Sequence, residues 1–189
     1  MIVTIAKLYA TFAHWFCRHR RKYTGEPYIV HPEEVYETLR RYTNDKYLLA
    51  AAWLHDVYED CGWLGKLMFH VFPARVVDLV LQVSMVSKPE MGNRKFRKAI
   101  DLNHYAMADS EGQTLKLADV KANTKRLAKD DPEFAVVYLN EKAALLPYLM
   151  RGHTVLWNRV AKQLMRGARD LGMDTSHWDT RILSTVGDA

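Results

Sequence analysis

The stretch His55-Asp56-Val57-Tyr58-Glu59-Asp60 follows directly on the apolar run Leu48-Leu49-Ala50-Ala51-Ala52-Trp53-Leu54. No Gly or Pro interrupts residues 45–60. An uninterrupted apolar segment of this length predicts a buried helix, which the sequence Thr43-Asn44-Asp45 caps and Cys61-Gly62 closes. The protein is therefore expected to be organised around one central helix whose end carries several ionisable side chains.

On such a helix His55 and Glu59 share one face, and Asp56 and Asp60 share the neighbouring face. Burying this much charge costs free energy unless the groups are paired or bind a metal. The alternative is a frayed helix end, with its acids in solvent and His55 hydrogen-bonded in the core. The stretch alone does not separate these two interpretations, and the rest of the chain has to.

Outside this stretch the pattern is helical throughout, and no two alternating runs could pair as strands. Apolar spacing and capping signals predict further helices over residues 2–16, 31–42, 64–72, 73–86, 94–108, 113–128, 133–150 (kinked at Pro147) and 153–171. We therefore expect an all-α fold, a single helical bundle of about seven to nine helices. Residues 1–172 are predicted to form the domain and residues 173–189 a C-terminal tail.

Composition is ordinary for a globular domain: 189 residues, 49% hydrophobic and 26% charged. Cys17 and Cys61 form neither a metal-spaced cluster nor a disulfide framework, which favours a reducing, cytoplasmic setting. The apolar N-terminus contains Lys7 and lacks a basic leader or a cleavage site, so it resembles neither a signal peptide nor a membrane span.

The net charge of +5 is concentrated in a few basic runs. These are Arg18–Lys22, Arg40-Arg41 and Arg94–Lys98. Such an excess suits an anionic ligand but is too small for a protein that coats nucleic acid, although each run also fits a solvated face.

Two further places carry metal-capable side chains at helix-defined positions. His31 begins a predicted helix at His31-Pro32, and Asp119 lies in an apolar helix with Asn123 one turn later. Alone, Asp119 is better explained by a structural ion pair. Together with His55 and Asp56, however, these residues supply two imidazoles and two carboxylates, a set that suits Mn, Fe or Zn with open coordination positions.

The same residues carry a family resemblance. The sequence is similar to the HD-domain phosphohydrolases, and most of all to the small alarmone hydrolases of the RelA/SpoT type. The resemblance spans about residues 10–152 and consists of three ordered motifs: Arg21-Lys22-Tyr23-Thr24-Gly25-Glu26-Pro27-Tyr28-Ile29-Val30-His31-Pro32, His55-Asp56-Val57-Tyr58-Glu59-Asp60, and Leu115-Lys116-Leu117-Ala118-Asp119 with Asn123.

The resemblance implies hydrolysis of the 3′-pyrophosphate of guanosine tetra- or pentaphosphate, (p)ppGpp, with Mn²⁺ as cofactor and pyrophosphate and GDP or GTP as products. It assigns the metal to His31, His55, Asp56 and Asp119. Glu59 and Asp60 would position and deprotonate the attacking water. This agrees with the residue chemistry, since a bound metal lowers the pKa of water and a nearby carboxylate can accept its proton.

Substrate contacts are implied in the same way. Arg21 would stack on the base, Lys22 would lie near phosphate, and Asn123 near the ribose. Approximate correspondence adds Lys88 and Tyr138.

Two departures from the family border the substrate pocket. The family commonly reads His-x-Gly-Gln where this chain has Phe16-Cys17-Arg18-His19, and Thr-Asp where it has Ser84-Met85. They leave open another phosphoester substrate, such as a nucleoside 5′-monophosphate or (p)ppApp.

A third hypothesis is a non-catalytic module that binds nucleic acid or protein through its basic runs. The complete ligand set and the Glu59-Asp60 pair argue against that hypothesis.

Overall fold

The computed structural model describes residues 1–186, and within them it contains helices and no strand. Three 3₁₀ segments (Pro89–Met91, Leu146–Leu149, Ser184–Val186) accompany the α-helices. The α-helices are α1 (Ile2–Phe16), α2 (Val30–Leu39), α3 (Lys46–Leu54), α4 (Val57–Asp60), α5 (Trp63–Val71), α6 (Ala74–Val83), α7 (Arg94–Met107), α8 (Ser110–Thr124), α9 (Leu127–Asp130), α10 (Pro132–Leu145), α11 (Thr154–Asp170) and α12 (Thr180–Leu183). The all-α prediction is confirmed. Nine helices in this part of the chain have nine or more residues.

Helices α3 and α8 form the centre of the bundle. α3 packs against α1, α2 and α6, while α8 packs against α2, α6 and α11. Three consecutive alanines, Ala50 to Ala52, are fully buried and let the neighbouring helices approach α3 closely. α8 is buried along most of its length, including Leu115, Leu117 and Asp119. The core therefore encloses the two helices that carry most of the predicted site.

The central helix is not continuous, and the prediction of one helix over residues 45–60 is wrong in this respect. Asp45 caps α3 as predicted, by accepting hydrogen bonds from the amides of Tyr47 and Leu48. At the other end the His55 ring donates through Nδ1 to the Ala52 carbonyl at 2.9 Å. In an unbroken helix that carbonyl would accept from the Asp56 amide. The side chain therefore replaces a helix bond, and a new turn, α4, begins at Val57.

The break determines where the ionisable side chains point. Successive residues of a continuous helix project about 100° apart. With the helix broken, His55 Nε2 and Asp56 Oδ1 lie 3.2 Å apart and face the same point. Because the helix is broken, His55 and Glu59 do not share one helical face as predicted.

Proline sets two other helix boundaries. Pro132 occupies the first turn of α10, where Asp131 accepts a hydrogen bond from the Phe134 amide. The kink expected at Pro147 takes the form of a change of helix type, since α10 ends at Leu145 and a 3₁₀ segment continues through Leu149. Proline lacks an amide hydrogen and clashes with the preceding turn, so the α-helical bonding cannot continue through it.

The segment after Gly172 packs onto the bundle within the described residues. Trp178 and Ile182 are buried, and Trp178 Nε1 donates to the Asn140 side chain of α10 at 2.7 Å. The division of the chain at residue 172 stays a prediction, and residues 187–189 lie outside the described part. No described helix combines the length and the apolarity that crossing a bilayer requires.

Arg18, directly after α1, has a φ of +53°. This is the position at which the similar family commonly has glycine. A left-handed conformation costs a non-glycine residue about 1–2 kcal/mol, from which the greater flexibility of glycine in the unfolded chain subtracts about 0.5–1 kcal/mol. Arg18→Gly is therefore expected to stabilise the protein by about 0.5–1 kcal/mol, measured as the free energy of unfolding in urea. The matched change Arg166→Gly, at an exposed position inside α11, should destabilise it by about 1 kcal/mol. If Arg18→Gly instead lowers the free energy of unfolding, the left-handed backbone at Arg18 is not strained.

Candidate metal centre and active-site cavities

Four side chains from three parts of the bundle meet at one point. His31 comes from the first turn of α2, His55 and Asp56 from the break after α3, and Asp119 from the middle of α8. The Nε2 atoms of His31 and His55 are 3.2 Å apart. His31 Nε2 lies 3.3 Å from an oxygen of Asp56 and 3.3 Å from one of Asp119. The structure thus brings together all four residues that the sequence predicts as ligands.

The spacing of these atoms suits a metal ion. Donors bound at about 2.0–2.2 Å to one ion lie about 3–3.5 Å apart in octahedral or tetrahedral geometry. Because the His55 Nδ1 hydrogen is donated to Ala52, the Nε2 of the neutral ring carries the lone pair that faces the centre. Both histidines are buried, and the carboxylates beside them border the cavity described below. The donor set therefore fits a divalent metal.

The charges in the cluster also favour a cation. Burial opposes the charged form of His55, yet Asp56 and Asp119 raise its pKa to about 9. Burial would likewise raise the pKa of Asp119, but Lys116 and the histidines hold it well below its usual range. The pKa of Asp56 is also lowered, against burial, chiefly by His55. A proton on His55 supplies part of the positive charge that a bound metal would bring to these carboxylates.

Neighbouring groups fix the orientation of the two carboxylates. The Tyr28 hydroxyl donates to Asp56 Oδ2 at 2.7 Å, and Asn123 Nδ2 donates to Asp119 Oδ1. Lys116 Nζ lies 3.0 Å from Asp119 Oδ2 and also donates to the Val83 carbonyl at 3.1 Å. Such outer contacts hold metal ligands in position. Asp119 thus has the ion pair that the structural alternative proposed, and it lies in the cluster as well.

The predicted catalytic pair separates in space. Glu59 lines the larger of two adjoining cavities that are described below. Its Oε1 accepts a hydrogen bond from the Met85 amide at 2.8 Å. Burial raises the pKa of Glu59. The side chain of Asp60 is about one-third exposed and lies beside His19, with Oδ2 3.5 Å from His19 Nδ1. Burial of its carboxyl and the charge of Asp56 raise the pKa of Asp60 to about 7.

The larger cavity, of about 770 Å³, opens beside the cluster. Its acidic end consists of Asp56, Glu59 and Asp119, and its walls carry basic residues of α7, α8 and α10: Arg94, Lys95, Lys98, Lys116 and Lys142. An anion that approaches the cluster from this cavity meets compensating positive charge.

Lys142 and the exposed Lys95 form no ion pair with the described residues, and Lys142 is the more buried of the two. Arg94 is paired with Glu141, and Lys116 with Asp119. Lys142 Nζ instead lies 4.5 Å from the centre of the Tyr138 ring. Burial and the charge of Lys116 lower its pKa to about 8. Lys142 was not predicted from the sequence, although its spacing of four residues from Tyr138 on a helix could have indicated it.

A smaller cavity of about 320 Å³ adjoins the first and shares Tyr28, Asn123 and Tyr138 with it. Its lining includes Arg21, Lys22 and Phe134. Four of the five predicted substrate residues therefore lie in or between the two cavities. Lys88 is exposed before the 3₁₀ segment that begins at Pro89 and is not among the lining residues of either cavity. Its part in substrate binding stays a prediction.

Comparison with known proteins identifies the class. The family model described as HD domain matches residues 8–151, and the chain belongs to this family. It is 34% identical over 113 residues, or 58% of the chain, to a guanosine-3′,5′-bis(diphosphate) 3′-pyrophosphohydrolase of Vibrio cholerae. It is equally similar, 34% over 113 residues, to the bifunctional (p)ppGpp synthase/hydrolase SpoT of Escherichia coli. Each match covers 16% of the relative's length.

A solved structure gives the same fold. It is described as a metazoan ortholog of SpoT that hydrolyzes ppGpp, and it superimposes with a TM-score of 0.71 over 92% of this chain and 97% of the other. The sequences are 23% identical, so this likeness supports the fold.

Proposed function

We propose that this protein is a metal-dependent phosphohydrolase that removes the 3′-pyrophosphate of (p)ppGpp, releasing pyrophosphate and GDP or GTP. The observation that carries the proposal is the convergence of His31, His55, Asp56 and Asp119 beside Glu59, at the end of a cavity with basic walls. Pure binding of an anion would not require a cluster of buried carboxylates. The similarity to named 3′-pyrophosphohydrolases supports the choice of substrate.

In this proposal His31, His55, Asp56 and Asp119 hold the metal, which we take to be Mn²⁺. When bound, such an ion lowers the pKa of a coordinated water toward 7 and polarises the phosphoryl group. Glu59 accepts the proton of the water, because its raised pKa brings it closer to neutral pH and the Met85 amide fixes its position. The oxygen of a water held there would form a bond to the phosphorus attached to the 3′-oxygen as the P–O3′ bond breaks, and the 3′-oxygen would take up a proton and leave as the ribose hydroxyl. Asp60 is proposed as a further acceptor, consistent with its pKa of about 7.

The two adjoining cavities suggest how the nucleotide lies. The pyrophosphate occupies the larger cavity, where Lys142 offers an unpaired ammonium group. Asn123, which the cavities share, lies at the level of the ribose. The base extends into the smaller cavity, where the Arg21 guanidinium stacks on it and Lys22 contacts phosphate. Tyr138 forms part of the wall between them.

Lys142→Ala tests this placement. Losing one charge-assisted contact of about 1.5 kcal/mol should raise KM about tenfold, with kcat changed less than about threefold. The folded pKa of about 8 lies below the ordinary value, so the cationic form that binds phosphate is lost as pH rises through about 8. The wild-type KM should therefore increase from pH 7 to pH 9, and that increase should be smaller in the variant. Lys162→Ala, at an exposed lysine of α11, serves as the control. An unchanged KM in Lys142→Ala would place the phosphates elsewhere.

The function itself is tested with metal-free protein supplied with Mn²⁺. Incubation with ppGpp should give equimolar pyrophosphate and GDP, separated by anion-exchange chromatography, and chelation should stop the reaction. The same panel includes ppApp and nucleoside 5′-monophosphates. If ppGpp stays intact while one of these is hydrolysed, the substrate assignment is wrong and the phosphohydrolase class is retained. If no nucleotide is hydrolysed, the non-catalytic alternative gains support.

A further inference from the structure

A second group of metal-capable side chains lies next to the first. It consists of His14 on α1, His19 in the following turn and Asp60 at the end of α4. The ring of Tyr28 separates the two groups: it stacks on His19 at 3.7 Å between ring centres, and its hydroxyl binds Asp56 of the first cluster. The mechanism proposed above uses neither of these histidines.

Two of the three distances in this group are close to the edges of a metal-binding tetrahedron, and all three donor atoms lie within 4.8 Å of one another. The Nδ1 atoms of His14 and His19 are 3.4 Å apart, and His19 Nδ1 lies 3.5 Å from Asp60 Oδ2. With bonds of about 2.0–2.1 Å to nitrogen or oxygen, tetrahedral ligands lie about 3.3–3.4 Å apart. The Cys61 Sγ atom is 3.5 Å from the same His14 nitrogen, which places a soft donor at the edge of the group.

The environment keeps the nitrogens available. His14 is 1% exposed; its Nδ1 faces the group and contacts His19 Nδ1 and Cys61 Sγ, while its Nε2 has no hydrogen-bond partner among the described residues. Burial lowers the pKa of His14 to about 4 and also lowers that of His19, which favours the neutral rings that bind metal ions. Asp60 and His19 are each about one-third exposed, which gives an ion a path from solvent. Two neutral rings whose Nδ1 atoms face each other next to a carboxylate are poorly satisfied by one shared hydrogen.

We propose that His14, His19 and Asp60 form a second site for a divalent transition metal, of the kind that prefers imidazole, such as Zn²⁺ or Co²⁺. Two imidazoles and one carboxylate suit these ions. The fourth position is filled by water or by the Cys61 sulfur. The similar family commonly has glutamine where this chain has His19, so the site is built from a residue in which this sequence departs from that pattern.

The shared residue gives the second site a consequence for catalysis. Metal held by Asp60 withdraws this carboxylate from any part in proton transfer, so Zn²⁺ added to the Mn²⁺-loaded enzyme should slow hydrolysis. This consequence rests on the proposed function. The presence of the site does not, because binding can be measured without substrate.

The test is a titration of metal-free protein with Co²⁺, followed by its visible ligand-field absorption and by calorimetry. Wild type should bind two equivalents. His19→Gln should bind one equivalent, because the affinity of the second site for Co²⁺ should fall by more than the 10–100-fold typical of losing an outer contact. Asp119→Ala should lose the other equivalent, and His70→Gln, at an exposed histidine of α5, should keep both.

His19 lies at the surface in part, so His19→Gln should fold, which its thermal unfolding verifies. The variant His14→Asn gives an independent second measurement. A single wild-type equivalent that His19→Gln keeps and Asp119→Ala loses, or two equivalents in folded His19→Gln, would overturn the proposal. Neither result depends on whether ppGpp is the substrate, because no nucleotide is present.

Discussion

Asp56→Ala is expected to abolish pyrophosphate release from ppGpp, with kcat reduced by about 10³-fold or more. The two carboxylate oxygens of Asp56 face different histidines: Oδ1 lies 3.2 Å from His55 Nε2, and Oδ2 lies 3.3 Å from His31 Nε2. Its removal takes one ligand and leaves the two imidazoles without the negative charge between them. Bound Mn²⁺, measured by elemental analysis after gel filtration, should be lost together with activity.

The control for this experiment is Asp170→Ala, which removes an exposed carboxylate at the end of α11. It should keep both activity and metal. Asp56→Asn preserves the size of the side chain and should lose activity to a similar extent if charge is what matters. Retention of more than about a tenth of the wild-type rate by a folded Asp56→Ala would remove Asp56 from the proposed ligand set.

Glu59→Gln should lower kcat by about 10²–10⁴-fold and leave bound metal unchanged. Glutamine keeps an oxygen that can accept the Met85 amide hydrogen, which Glu59 accepts at 2.8 Å. It has no basic oxygen to take the proton of the water. The substitution therefore separates proton transfer from metal binding, which Asp56→Ala cannot do.

Kinetics and metal analysis on the same preparation distinguish the outcomes for Glu59. Glu90→Gln, at an exposed acid in the loop after α6, is the matched control and should behave as wild type. Loss of metal in Glu59→Gln would make Glu59 a ligand. An unchanged rate with full metal would move the role of proton acceptor to Asp60, and Asp60→Asn would then be the slow variant.

The spacing of apolar residues was sufficient to predict the helices. α3 and α8 begin at capping aspartates, Asp45 and Asp109, and α11 follows a regular apolar spacing, so that local hydrogen bonding and burial favour the same helices. The break between His55 and Asp56 was not predictable from the pattern. It depends on a side chain that displaces a backbone bond, and helix propensity does not report such a contact.

The candidate site was likewise only partly predictable from the sequence. The motifs were sufficient to indicate His31, His55, Asp56 and Asp119 as one group, because two imidazoles and two carboxylates in an apolar context need a common partner. They did not indicate Lys142. The importance of Lys142 follows from the packing of α10 beside α8, which places an unpaired ammonium group in the cavity.

Glu59 and Asp60 show most clearly what the sequence predicts and what only the tertiary structure decides. As sequence neighbours in one motif they carry the same expectation, and their residue type sets their acid–base chemistry. In the folded chain Glu59 is held by the Met85 amide in the larger cavity, while Asp60 lies beside His19. Residue type and helical spacing therefore predicted the fold class and the chemistry of the candidate ligands. The task of each acid depends on which distant segment packs against it, because a hydrogen bond or metal site forms only between groups that the fold brings within about 3–4 Å.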